Sequence, residues 1–142
     1  KKYVVLEIEK TPEKLKLVEF YLKEFGLDVL ASSMDKLMKM ELGENGKRVS
    51  GGQAKRIALI RSLVCDAEFV LWDDPFSSVD LILESQIIEK LKSDTRLSSM
   101  TFILSSHRLS TVKNSNHLVY ISKSDGVVES GETQELINKG TR

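Results

Sequence analysis

The stretch 48–80, RVSGGQAKRIALIRSLVCDAEFVLWDDPFSSVD, constrains this chain more than any other. It opens on a turn, Val49-Ser50-Gly51-Gly52-Gln53, and runs straight into a segment with helical spacing. Ile57, Ile60 and Val64 form an apolar stripe, Ala54 and Leu63 widen it, and Lys55, Arg56 and Arg61 fall on other faces. Ser50 is a good N-cap, because its hydroxyl can accept from a first-turn amide. The two glycines let backbone amides approach another group with no side chain in the way. Unpaired N–H groups and the helix dipole make such an end an anion site. The single cysteine, Cys65, is expected inside this helix as a small buried residue, and one thiol cannot form a disulfide within the chain.

The same stretch continues Glu68-Phe69-Val70-Leu71-Trp72 into Asp73-Asp74-Pro75. A short apolar run ending in two carboxylates predicts a buried strand with acids at its C-terminal edge, where open α/β sheets place ligands. One carboxylate there can hold Mg²⁺ directly or through water, and a neighbour can polarise an attacking water. Alone, each element says little, since Ser-Gly-Gly turns are common in loops and most paired acids at strand ends are simply solvated. Their order and separation make the combination specific.

These residues resemble the nucleotide-binding domain of ABC transporters. Ser50-Gly51-Gly52-Gln53 is similar to the family signature, with Val49 where leucine is usual. Residues 69–73 resemble the Walker B strand, Ser77-Ser78-Val79-Asp80 the D-loop, and 102–111 the strand that ends in the switch histidine, here His107. A turn-rich loop, Gly43-Glu44-Asn45-Gly46, precedes the signature as in exporter-type members, and 126–136 resembles a typical family ending. The resemblance is clear from Gly43 onward and looser before it. It implies an α/β fold: a partial P-loop NTPase with a parallel-strand core and an α-helical subdomain. The whole chain, 1–142, is then the C-terminal portion of one ATPase domain. About 10–65 would form the helical subdomain and signature, and 66–142 the Walker B strand, D-loop, switch histidine and C-terminal strands and helix.

The resemblance also implies roles. Two ATPase domains sandwich ATP head to tail, and Ser50, Gly51, Gly52 and Gln53 would cap the γ-phosphate held by the partner domain, stabilising its developing charge. Asp73 would help hold Mg²⁺, His107 would reach the γ-phosphate, and Ser78 and Asp80 would cross the dimer interface. The implied partners are a second ABC ATPase domain, identical or not, and the transmembrane domain of a transporter, which places the parent protein at the cytoplasmic face of a membrane. His117 matches no motif and is expected to have no such role.

Two departures qualify this. Asp74 stands where the family usually has the glutamate that orients or deprotonates the attacking water. It is shorter by one methylene, about 1.5 Å of bond length, and a base must come within about 2.6–3.2 Å of its target directly or through one water. Aspartate here resembles the degenerate site of asymmetric transporters. The second departure is an absence. A P-loop, G-x-x-x-x-G-K-[S/T], wraps phosphates and supplies a lysine and a Mg²⁺-binding hydroxyl. The only Gly-Lys pair is Gly46-Lys47, with Glu41 in place of the first glycine and Arg48 in place of the hydroxyl residue. No glutamine precedes Gln53 either, so the family's Q-loop residue is missing. The chain alone is expected not to hydrolyse ATP, to leave apolar strand faces and an edge uncovered, and to be marginal, to oligomerise or to exchange elements with another copy.

Around this centre the chain reads simply. Tyr3-Val4-Val5-Leu6 and Ile8 suit a short strand or an extended lead-in. Thr11-Pro12 starts a helix with Leu15, Val18, Leu22 and Phe25 inward, and Gly26 ends it. A short helix is expected over 33–40, another over 79–91, and a polar helix and loop over 93–99. Strands are expected over 101–104, 118–121 and 127–129, and a terminal helix over 132–139. With 21 basic and 21 acidic residues, nothing favours a nucleic acid partner. No apolar run approaches the roughly 20 residues of a membrane span, and no signal peptide is visible, so the chain is expected to be soluble. Two other readings remain open: a soluble ABC-type ATPase of DNA repair, chromosome organisation or translation, and a non-catalytic regulatory domain. The first usually carries coiled-coil or basic insertions, and none separates Ser50 from Asp73.

Overall fold

The α-helices among residues 12–93 begin where a side-chain oxygen can take up free first-turn amides. In the computed structural model, which describes residues 11–41, 48–65 and 67–140, Thr11 accepts from Lys14 N–H and caps α1 (Pro12–Glu24). The apolar run at 3–8 and the loop at 43–47 lie outside the described residues. α1 ends at Gly26, whose φ of 62° would strain any side chain. The Arg56 guanidinium closes this end, donating to the carbonyls of Phe25 (2.6 Å) and Gly26 (3.2 Å). Ser33 caps α2 (Met34–Met38), which is shorter than the expected helix over 33–40.

Ser50 caps α3 (Gly51–Val64), and here the expectation about cysteine fails. Cys65 adopts an extended backbone just past the last helical residue, and its thiol is exposed rather than buried. No glycine or proline marks that end, so spacing alone could not show where the helix stops. β1 (Phe69–Asp73) follows, then α4 (Leu81–Ser93) capped by Asp80, a short 3-10 helix (Thr95–Ser99) and β2 (Thr101–Ser105).

β1 and β2 pair in parallel, with Phe69 opposite Thr101 and Asp73 opposite Ser105. The strand expected to be buried is buried on one face only. Val70 and Trp72 are 4% and 5% exposed, while Phe69 and Leu71 between them are 68% and 78% exposed. Alternation of this kind is what a sheet covered on one side produces. The covered side joins one core, in which Val18, Leu22 and Phe25 of α1 cluster with Ile57, Ile60 and Leu63 of α3 and with Trp72. Leu59 is buried as well, outside the stripe read from the sequence. The Trp72 indole donates to Ser62 Oγ at 2.8 Å, which satisfies its one polar atom.

A polar tie holds this core at its edge. Arg96 donates to the Leu63 carbonyl (2.9 Å) and to the Tyr21 hydroxyl (2.7 Å), and that hydroxyl donates to Asp94. Burial, and next the bond to Asp94, push the Tyr21 phenol up to about 12.

Residues up to Ser105 form one compact unit and those from Ser106 a second. The second contains a short α5 (Leu109–Val112), an antiparallel pair β3 (His117–Ser122) and β4 (Gly126–Glu132), and α6 (Thr133–Asn138). Leu136 of α6 is buried beside Gly131 of β4, and Thr133 N–H donates to the Asn116 carbonyl. Among the described residues no helix is long and apolar enough to cross a membrane.

Candidate functional site

The start of α3 is a complete capping box. Ser50 Oγ accepts from Gln53 N–H at 3.2 Å, and Gln53 Oε1 accepts from Ser50 N–H at 2.8 Å. Gln53 is thereby occupied in shaping the turn, which its place in the signature did not reveal. The two glycines then part company. A Cβ on Gly52 would stand 2.6 Å from the Ser78 carbonyl oxygen, so the helix start and the turn at 74–80 touch backbone to backbone only because residue 52 lacks a side chain. A Cβ on Gly51 would meet nothing within 4 Å, and its φ is not positive. Nothing among the described residues asks for a glycine at 51.

The facing turn is built as firmly. Asp80 Oδ1 accepts from Ile82 N–H (3.1 Å) and Leu83 N–H (2.9 Å), and these bonds, that from Leu83 first, hold its carboxyl below the usual carboxylate range. Asp80 is therefore a helix cap, a role the sequence comparison with the D-loop did not suggest. Ser77 and Ser78 are exposed. Lys55 Nζ donates to Ser77 Oγ at 2.5 Å and so ties the turn to α3 a second time.

At the end of β1 the parallel register sets Ser105 beside Asp73, and Ser105 Oγ donates to Asp73 Oδ1 at 2.6 Å. Asp74 N–H donates to the same hydroxyl (3.0 Å) and to the Ser105 carbonyl (3.2 Å). Asp74 has φ 43°, a left-handed conformation that aspartate and asparagine tolerate better than longer side chains do. Ser105 was not singled out from sequence; a hydroxyl at the end of the next strand was the available signal.

Among the described residues no group of three or more His, Cys, Asp or Glu could hold a metal ion by itself. Mg²⁺ does not require one, since it keeps several waters and binds through one or two carboxylates plus substrate phosphates. Exposed Asp73, held by Ser105, fits that pattern. The phosphate-wrapping loop that ATP would need is absent from the sequence, so the residues present fit a cap and a metal ligand rather than a grip. His107 belongs to the second unit and is exposed there. His117, in that same unit, shares a 3.0 Å hydrogen bond with Ser130 Oγ.

Comparison with known proteins bears on these features. The sequence pattern of the family described as ABC transporter matches residues 6–77, about half of the chain. The ATP-dependent lipid A-core flippase 1 of Colwellia psychrerythraea is 35% identical over 109 residues, 77% of this chain and 18% of that protein. The ATP-dependent lipid A-core flippase of Francisella tularensis is 41% identical over 101 residues, 70% of this chain and 16% of that protein. A lacticin-481/lactococcin-DR transport/processing ATP-binding protein of Lactococcus lactis is 34% identical over 70% of this chain and 14% of its own. The chain therefore spans less than a fifth of the length of these relatives. Among solved structures, a bacterial Atm1-family ABC exporter with ATP bound superposes with a TM-score of 0.74 at 25% identity, over 93% of this chain and 22% of that one.

Proposed function

Because the chain belongs to the ABC transporter family, we propose that it is the signature-bearing portion of an exporter's ATP-hydrolysing domain. Its part in the reaction is to close over a triphosphate gripped elsewhere. Gly51 carries this reading. A glycine in a first helical turn that no described neighbour and no backbone angle requires is explained by a group arriving from outside the described residues. With the Ser50 and Gln53 amides engaged in the capping box, the Gly51 and Gly52 amides between them are held ready for that group, and an incoming phosphate meets N–H dipoles without reorganisation.

The other residues follow from this placement. Asp73, oriented by Ser105, would be the chain's Mg²⁺ ligand, and Mg²⁺ when bound would neutralise charge on the phosphates. Ser78 and Asp80 would border a second ATPase domain, and His107 would approach the γ-phosphate. The transported substrate would be handled by a transmembrane domain outside this chain, with the ATPase domain at the cytoplasmic face. The flippase relatives support an exporter over a soluble repair or translation ATPase.

Asp74 makes its own site slow. The left-handed backbone suits aspartate, and the side chain stops one methylene short of where glutamate would place a base. The chain would then complete a partner's competent site while its own site held ATP with little turnover. In an ATPase domain that carries this segment, Asp74→Glu should raise steady-state turnover by about 10-fold to 100-fold. Rapid turnover that Asp74→Glu leaves unchanged would remove the asymmetric reading.

A further inference from the structure

We propose that Lys55 is a positioning residue that couples the capping turn at 50–53 to the two acids at the end of β1. The inference rests on the reading of that turn as the phosphate cap. Lys55 lies five residues past the cap residue, on the helix whose first amides would meet phosphate. Its ammonium donates to Ser77 Oγ at 2.5 Å, and Ser77 Oγ donates onward to the Asp74 carbonyl at 3.3 Å. From the amide of that same residue the path continues, with Asp74 N–H donating to Ser105 Oγ at 3.0 Å and Ser105 Oγ donating to Asp73 Oδ1 at 2.6 Å.

The order of donors gives this path a direction. On this path Ser77 accepts from Lys55 and donates to Asp74, and Ser105 accepts from Asp74 and donates to Asp73. The path begins on a side chain that can only donate and ends on a carboxylate that can only accept. Within each half, Lys55 to the Asp74 carbonyl and the Asp74 amide to Asp73, the bonds run head to tail and polarise one another. The halves meet across the Cα of Asp74, so the link there is positional, through that residue's backbone angles. The point where the path crosses the backbone is Asp74, held at φ 43°, a conformation that persists only where neighbours impose it. Ser77 and Ser105 impose it from either side. Phosphate docking at the start of α3 would thus be felt, through Lys55, where Asp73 meets the metal.

Within the turn the Ser77 N–H also donates to the Asp74 carbonyl, at 3.4 Å, and the Ser77 hydroxyl is what brings Lys55 into that contact. Gly52 against the Ser78 carbonyl fixes how closely the helix start approaches, and Asp80 caps α4, but neither reaches Asp74. Removing the ammonium should therefore leave the fold intact and loosen the acid end.

The test is amide hydrogen exchange on this chain with Lys55→Met, Lys55→Arg, Ser77→Ala and the double variant Lys55→Met/Ser77→Ala. Lys55→Met should speed exchange at both Ser77 and Asp74 by about tenfold, with the amides of α3 and α4 unchanged. Lys55→Arg should restore protection, and the double variant should be no faster than either single one, as expected for groups acting in series. Unaltered exchange at Asp74 in Lys55→Met, loss that arginine fails to restore, or additive effects would each overturn the coupling. Exchange is read without nucleotide, so a failed coupling is distinguishable from a failed capping role. In an ATPase domain that carries this segment, Lys55→Met should lower kcat several-fold at unchanged KM. A change confined to KM, or an unaltered kcat, would overturn the link to catalysis.

Discussion

In the unit that ends at Ser105, some surfaces are finished and others are open. On the finished side Val70 and Trp72 are packed, Gly52 lies against the Ser78 carbonyl, and Trp72 even pairs its indole N–H with Ser62. On the open side Phe69, Leu71 and Ile103 stand in solvent on one sheet face, 57–78% exposed, and Gly51 faces empty space. The residue types on the two sides are alike. What differs is whether the described residues supply the neighbour. Large apolar side chains and a first-turn glycine each have a disadvantage when nothing lies against them, so their presence on the open side marks surfaces shaped for something outside the described residues.

The contrast can be broken most directly in the sheet. Trp72→Ala should cost about 3–5 kcal/mol, because it empties packed volume in the core. Leu71→Ala, one residue away, should stay within about 0.5 kcal/mol. Urea midpoints of the two variants measure this, and equal losses would mean that the exposed face is covered in solution, by another copy for instance.

The paired glycines sharpen it at a smaller scale. Gly52→Ala forces the turn at 74–80 to retreat from an overlap with backbone and should cost about 1–3 kcal/mol. Gly51→Ala should leave stability unchanged or raise it by up to about 1 kcal/mol, since alanine favours the helix. Thermal melts separate the two. If Gly51→Ala also leaves ATP turnover intact in an ATPase domain that carries this segment, the open side of the turn is not a phosphate site.

Much of the finished side was legible in the sequence. Thr11 and Ser50 were readable as helix starts because capping is local, acting over three residues. The Walker B-like strand was readable from its apolar run and terminal acids. Contacts that depend on register were not: Lys55 meets Ser77 across 22 positions and Ser105 meets Asp73 across 32. Cys65 and Leu59 were misjudged or missed for a related reason, since spacing gives a stripe but neither its width nor its last turn. Phe69 and Leu71 read as buried from the apolar run alone, whereas the expectation of uncovered strand faces came from the lack of a P-loop pattern in the sequence, and both residues are exposed.

The smallest expected effect tests the finished side alone. The Tyr21 phenol is pushed from an ordinary 10.0 to about 12. The folded chain thus holds its proton more tightly than the unfolded chain does. Its contribution is complete below pH 10 and is lost as pH rises through 12. Stability of the parent chain should therefore decline across pH 10–12 more steeply than that of Tyr21→Phe, and parallel pH profiles would show that the phenol is not buried against Asp94 as described.

The central claim is that this chain supplies cap and metal ligand without the phosphate grip. Calorimetric titration of Mg·ATP into the purified chain tests it most directly. The account predicts no detectable binding heat, since a cap needs a triphosphate already held by another domain. Tight, magnesium-dependent binding would contradict it, because Lys47 or some other group of this chain would then be gripping the phosphates itself.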